Sequence, residues 1–379
     1  MLLELTDDQE FFRDTTDRFL SAKVPVAELR RLRDDPVGYP SDYWRKGAEL
    51  GWTSLLVDEE RGGGSISGSG LADLTLVAHE FGKHAAPGPL LPNNVVAALL
   101  NAHGSVEHDA VLEELLAGSA TAAWALARPN PKSLVAVPAT SVTIDGDHVV
   151  VHGTKRPVEA AAAADHLLVV GRTGEGLSQV LVPRTADGVT VKVLQSVDLT
   201  RRYAAVDFDS VRLPLSALVG EPGQAHADVT RGCELAIVIS CAESVGAMQS
   251  AFDMTLEWAF DRYSFGRALA SYQEIKHRFA DMKMWLEASH SAADAAASAV
   301  AANTPNSAEV VSAAKAYIGH YGEELMQDCV QIHGGIGVTF EHDLHLYSRR
   351  ASANRSTFGT PADHRQRLAD IALRQEATV

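Results

Sequence analysis

The chain has 379 residues, 46% hydrophobic and 22% charged, which is enough for two or three buried cores and too apolar for disorder on a large scale. Its formal net charge of −16 argues against nucleic acid and anionic membrane surfaces as partners, because both reward clustered Lys and Arg. Cys233, Cys241 and Cys329 have no metal-ligand spacing and read as buried, reduced thiols of a cytoplasmic protein. The opening Met1-Leu-Leu-Glu-Leu-Thr-Asp-Asp carries acids and no long apolar core, so it reads as neither a signal peptide nor an anchor.

Three regimes follow in chain order. Residues 1–118 read as a helical domain, opening on a capping box of Thr6 and Gln9 with Phe11, Phe12, Thr15, Phe19 and Leu20 at helical spacing behind it. The turn Glu59-Glu-Arg-Gly-Gly-Gly64 interrupts that domain, either as a linker or as a substrate contact; a helical run over 71–81 follows, and Pro87, Pro89 and Pro92 break it. Residues 119–222 change to short β-rich pieces over 141–146, 148–153, 166–170, 179–182 and 205–209, with Asp145-Gly146 suited to a tight hairpin. This predicts a small, barrel-like β-domain. Residues 223–379 return to helical periodicity in alanine-rich segments over 282–301 and 307–329, which predicts a four-helix bundle. The fold class is therefore mostly α with a central β-domain.

Two local patterns carry chemistry. Gln331-Ile-His-Gly-Gly-Ile-Gly337 places three glycines in a helical region, where each costs about 1 kcal/mol relative to alanine, so backbone is expected to approach something closely there. Alone, such a run fits a loop or a close helix contact as well as a cofactor. Upstream stands Arg262-Tyr-Ser-Phe-Gly266, followed by Tyr272-Gln273. An arginine offers a planar fork to phosphate oxygens, and the N–H groups of Gly334 and Gly335 have no Cβ to keep an anion away.

Together the two patterns resemble those of the acyl-CoA dehydrogenase flavoenzymes, and the helical, β, helical order extends the resemblance to the whole chain. It implies FAD bound non-covalently across a subunit interface by Arg262, Phe265, Gly266, Gln273, Gln331, Gly334 and Gly335. It also implies α,β-dehydrogenation of an acyl-CoA thioester, an electron-transfer flavoprotein as electron acceptor, and a homo- or hetero-oligomer, dimer or tetramer. Within the middle domain Gly153-Thr-Lys155 and Asp198-Leu-Thr-Arg-Arg202 are similar to family words, and read as turns, strand ends and salt bridges.

The chain also departs from the family. Where members carry Thr-Glu-Pro with Gly-Ser-Asp, and Trp-x-Thr after Gly-x-Lys, as flavin-ring contacts, this sequence has Ala127-Arg128-Pro129-Asn-Pro-Lys-Ser133 and Arg156-Pro157-Val158-Glu159. Ring contacts are thus expected to be reduced. The ring is then held by backbone and the partner subunit, or bound weakly, or held at only some interfaces of a mixed assembly.

The family's catalytic base is a glutamate in a C-terminal Tyr-Glu-Gly-Thr or one early in a helix; here Gly359 and Ala236 stand at those places. Glu243 follows Ala236 by about two helical turns on nearly the same face. Its Ala-Glu-x-Val-Gly setting resembles a bacterial branch acting on bulky, including sterol-derived, CoA thioesters, where that glutamate is the base. An acid paired with a buried arginine is the alternative for so apolar a stretch. Glu234 is expected to favour the helix N-terminus electrostatically. His333, His342, His345 and His364 lack any repeated metal spacing, so no metal is expected. Two functions remain: a catalytic dehydrogenase with Glu243 as base, or a non-catalytic subunit completing FAD sites for a paralogous partner.

Overall fold

In the computed structural model, residues 5–40, 42–126, 135, 138–174 and 176–376 are described. Thr6 opens helix α1 (Asp7–Lys23) with both halves of the capping box: its Oγ1 accepts from the Gln9 N–H at 3.3 Å, and Gln9 Oε1 accepts from the Thr6 N–H at 3.2 Å. Gln9 then reaches further, donating through Nε2 to Asp73 at 2.8 Å, which ties α1 to the later helix α4 (Gly70–Lys83). Helices α2 (Val26–Arg31), α3 (Tyr43–Glu49), α5 (Leu90–His103) and α6 (Asp109–Ala117) complete the region. Fully buried Trp52 packs edge-on against Phe19, Tyr43 and Phe81 at its centre. Pro92 corrects one expectation: it lies in the first turn of α5, where a missing N–H costs no helical hydrogen bond, and it breaks nothing.

Among the described residues the middle region is one eight-stranded sheet: β1 (Ala122–Ala125), β2 (Ser141–Asp145), β3 (His148–Glu159), β4 (His166–Thr173), β5 (Gly176–Pro183), β6 (Val189–Leu194), β7 (Tyr203–Pro214) and β8 (Leu218–Val219). Its order is β6-β7-β3-β2-β4-β5-β8, with β1 pairing parallel to β4. The predicted hairpin joins β2 to β3, with Asp145 opposite His148 and Gly146 at φ 65°. At the far end of β3, Glu159 pairs with Tyr203, the first residue of β7.

The C-terminal region has three long helices, α7 (His226–Asp261), α8 (Gln273–Ala301) and α9 (Ser307–His333), with α10 (Leu344–Ser356) packed on α7 and α9, and α11 (Pro361–Glu376) packed on α9. Helix α7 is long and apolar enough to cross a membrane, yet 89% of its most apolar window is buried inside the protein. It crosses α4 through a reciprocal glycine contact: a Cβ on Gly82 would lie 1.8 Å from the Glu243 carbonyl oxygen, and one on Gly246 would lie 1.9 Å from that of His79. Only glycine permits so close a crossing, and it fixes Glu243 at the junction of the regions.

Candidate active site

The two sequence motifs meet on the surface. Between β9 (Tyr263–Ser264) and β10 (Arg267–Ala268), an antiparallel pair, Phe265 and Gly266 take left-handed φ of 49° and 80°, and the Phe265 side chain is 97% exposed. Arg262 ends α7 with its guanidinium 5.9 Å from the Trp258 ring centroid, and no ion pair engages it among the described residues. His333 stacks on the same Trp258 at 5.3 Å and donates through Nδ1 to the Cys329 carbonyl at 2.9 Å. Trp258 therefore links the arginine motif to the glycine motif.

Gly334 closes α9 at φ 67°, and its N–H bonds back to the Gln331 and Val330 carbonyls, so this N–H is already used and does not await an anion as the sequence suggested. Side chains added at Gly334 or Gly335 would meet nothing within 4 Å, which leaves backbone open to an incoming molecule. Gln273, the first residue of α8, and Gln331 are both exposed, and Gln331 also lines a groove of about 320 Å³ with Met326, Val330 and Arg355.

A separate cavity of about 340 Å³ lies between the sheet and the C-terminal helices. Leu91, Pro92, Trp124, Leu126 and Phe358 form its apolar walls; Arg156, Glu159, Tyr203 and Asp363 supply polar groups. Trp124 and Phe358 face each other with ring centroids 6.4 Å apart and planes 28° from parallel. The Trp124 indole N–H is buried and has no partner among the described residues. Gly359 lines this cavity at φ 107°, and a Cβ there would press on His364 Nε2 at 3.0 Å and Arg367 Nη1 at 3.1 Å, so the position offers no acid and little room for one. Ala236 is fully buried. None of the surface-motif residues lines this cavity, and the departing stretch 127–133 lies outside the described residues.

Glu243 is 3% exposed and occupied on both oxygens. Arg350, from α10, donates to Oε1; Arg201, from the loop before β7, donates to Oε2, which also accepts from Asn354 Nδ2 at 3.3 Å. Arg350 is itself fully buried and further engages Asp198, Thr200 and the Ala86 carbonyl at 3.0 Å, while Arg201 reaches Asn354 Oδ1 at 2.7 Å. Burial alone would raise the Asp198 carboxyl, but Arg350 and Arg201 outweigh it and hold it below the usual carboxylate range. Lys315, pushed down to about 8 by burial, donates to the Asn354 carbonyl.

Glu243 does not line the cavity, and both its oxygens meet arginines, the pairing that the sequence left as the alternative to catalysis. Sequence reading missed Arg350, Asn354 and Trp124; the run 198–202, read as turns and salt bridges, signalled this network, and Arg156, Pro157 and Glu159, noted as a departure from the family's ring contacts, line the cavity.

Glu234 also differs from expectation. It lies more than two turns inside α7, 6% exposed, accepting from Ser307 Oγ at 3.2 Å with Arg231 at 3.8 Å, too deep to serve the helix N-terminus. The three cysteines are buried and unpaired with one another, and burial pushes Cys241 up to about 11. His364 is pushed down to about 3 by burial and by Arg367, and its Nε2 lies 3.1 Å from the Phe358 carbonyl, bracing the turn that walls the cavity.

Comparison with known proteins agrees with this architecture. Family models described as the acyl-CoA dehydrogenase N-terminal and C-terminal domains match residues 6–122 and 237–373. Acyl-CoA dehydrogenase IpdE2 of Mycolicibacterium smegmatis is 28% identical over 369 residues, covering 96% of this chain and 98% of that protein. The Tcur3481-Tcur3483 steroid ACAD superposes with a TM-score of 0.88 at 24% identity over 98% of this chain and 99% of its own. Butyryl-CoA dehydrogenase of Megasphaera elsdenii gives 0.88 at 22% over 99% and 100%. With matched models at both ends and the same helical, β, helical fold between them, the chain belongs to the acyl-CoA dehydrogenase family.

Proposed function

We propose that this chain is a cytoplasmic, FAD-dependent acyl-CoA dehydrogenase chain, acting on a bulky acyl-CoA thioester and passing electrons to an electron-transfer flavoprotein. The observation that carries the reading is the division of labour between two places. Arg262, a guanidinium with no ion pair among the described residues in a chain of net charge −16, shares Trp258 with His333, the residue before the open backbone of Gly334 and Gly335, an arrangement that suits a pyrophosphate. The cavity walled by Trp124 and Phe358, with Arg156, Glu159 and Tyr203 as its polar groups, suits a flat polar ring. Because no residue belongs to both places, the reading is a flavin shared between two chains, with Phe265, Gly266, Gln273 and Gln331 of one chain completing a site whose ring half lies in another. When bound, FAD supplies the hydride acceptor for the β-carbon. The apolar walls at Leu91, Leu126 and Phe358 exclude water around it. The relative named as a steroid ACAD supports the bulky acyl group.

A second reading is favoured by one observation: Ala236, Gly359 and the arginine-bound Glu243 leave all three positions considered for the base without a free carboxylate. On that reading the chain is a structural subunit that completes FAD sites for a paralogous partner.

Absorbance at about 450 nm, where flavins absorb, followed by anaerobic reduction with acyl thioesters, decides between them. A yellow oligomer of this chain alone that a thioester bleaches supports the dehydrogenase. A colourless chain that turns yellow only on co-expression with a paralogue supports the subunit, and no flavin in either preparation overturns both.

A further inference from the structure

We propose that Glu159 is the ionisable contact this cavity offers to the ring bound in it, and that Arg201 positions it; the proposal rests on the reading that a flavin occupies the cavity. Glu159 ends β3 opposite Tyr203, and both line the cavity with Trp124 and the Phe358 turn. Its side chain is 12% exposed, and its one ionic partner among the described residues is Arg201, with Nε 3.4 Å from Oε1. The other cavity carboxyl, Asp363, is already committed: Oδ2 accepts from both the Thr360 N–H and Oγ1 at 2.8 Å, capping α11. Asp363 is thus held in the Thr360 turn through Oδ2, whereas the contact that holds Glu159 at the wall is its ion pair with Arg201.

Arg201 explains why the carboxyl stays at this wall. The guanidinium is anchored by Glu243 and Asn354 on one side and meets Glu159 through Nε on the other, so it hands the rigidity of the buried network to the cavity. Glu243, at one remove, fixes the residue that fixes Glu159.

The electrostatics agree with the geometry. Burial raises the Glu159 carboxyl, Arg201 and Arg350 pull it down, Glu243 and Asp198 push it up, and the balance lies above the ordinary glutamate range. Tyr203 stays protonated because burial raises it. Arg156 and Asp363 are the other charged groups in the cavity. A carboxyl poised in this way donates its O–H to a ring nitrogen that accepts, and accepts from a ring N–H once ionised. It can therefore match a ring whose hydrogen-bonding character changes with its redox state.

The test reads the bound cofactor's spectrum. FAD-saturated wild type, alone or with its co-expressed partner, is titrated over the weakly acidic to neutral range and compared with Glu159→Gln, Glu159→Thr and, as control, Asp363→Asn. The expected result is one proton-linked shift of the bound-flavin absorbance with a midpoint above about 4.3, the ordinary glutamate value. That shift persists in Asp363→Asn and is absent from whichever Glu159 variant folds and holds FAD. A flat wild-type spectrum, or an unchanged titration in the Glu159 variants, overturns the proposal while leaving the flavin reading intact. Wild type that binds no FAD overturns the flavin reading, and this proposal with it.

Discussion

Glu243→Gln separates a structural acid from a catalytic one. The two carboxylate oxygens face Arg350 and Arg201, with Asn354 on the second. An amide has one acceptor and one donor end, so whichever way Gln turns, its NH₂ meets a guanidinium N–H head-on. One buried arginine then loses its acceptor, and both lose the opposing charge. Removing one partner of a buried pair costs about 3–5 kcal/mol. An unfolding entropy of about 2.1 cal/mol/K per residue gives roughly 0.8 kcal/mol/K for this chain, so Tm should fall by about 4–6 °C. The assay is thermal unfolding followed by circular dichroism at a fixed chain and flavin concentration, with flavin reduction by an accepted thioester measured on the same preparations. If Glu243 were instead the α-proton base, Tm would hold and the reduction rate would drop by about 10²–10⁴-fold. Unchanged Tm with that loss of rate would refute the structural account.

Arg262→Ala should weaken FAD binding by about 1.5–3 kcal/mol, roughly 10- to 150-fold in Kd by titration, with the fold intact by circular dichroism. Full flavin affinity in a folded variant would remove Arg262 from the phosphate site. Gly246→Ala should lower Tm more than ordinary overpacking, about 1–3 kcal/mol, because its Cβ meets the His79 carbonyl backbone at 1.9 Å; a Tm equal to wild type would contradict the close crossing of α4 and α7. For Glu159 the folded carboxyl titrates above its unfolded value, so the stability its proton contributes is present below the unfolded pKa and lost as pH rises through the folded one. Glu159→Gln removes that loss, so its Tm relative to wild type should rise as pH is raised above the ordinary glutamate value of about 4.3, and a constant difference would argue against a raised carboxyl.

The helical and β regimes were legible because their signals are local. Thr6 and Gln9 are three residues apart and cap each other directly, and Asp145-Gly146 turns within its own hairpin. Strand β1 was not legible: Ala-Ala-Trp-Ala is buried at every position and has neither alternation nor β-branched residues, so only its pairing with β4 makes it a strand. The surface motif was legible for the same reason as the cap, since Arg262 to Gly266 and Gln331 to Gly335 are contiguous words. The correction at Gly334 arose where a local word met its own helix, whose last carbonyls claim the N–H first.

Glu243 shows where sequence reading stops. A lone acid among Ile237, Val238, Ile239, Cys241 and Val245 demands a partner, and catalysis or an ion pair satisfies that demand equally well on paper. What decides is convergence from elsewhere: Arg201 lies 42 positions away from Glu243 and Arg350 lies 107, each on a different region of the fold. No periodicity carries such information, because the pairing exists only once the sheet loop, α7 and α10 have docked. The same docking brings Arg201 to Glu159, also 42 positions apart, and so carries the constraint from a buried core acid to the cavity wall. An acid outside the cavity can then still shape the site, because it holds the arginine that pairs with the cavity's own carboxyl.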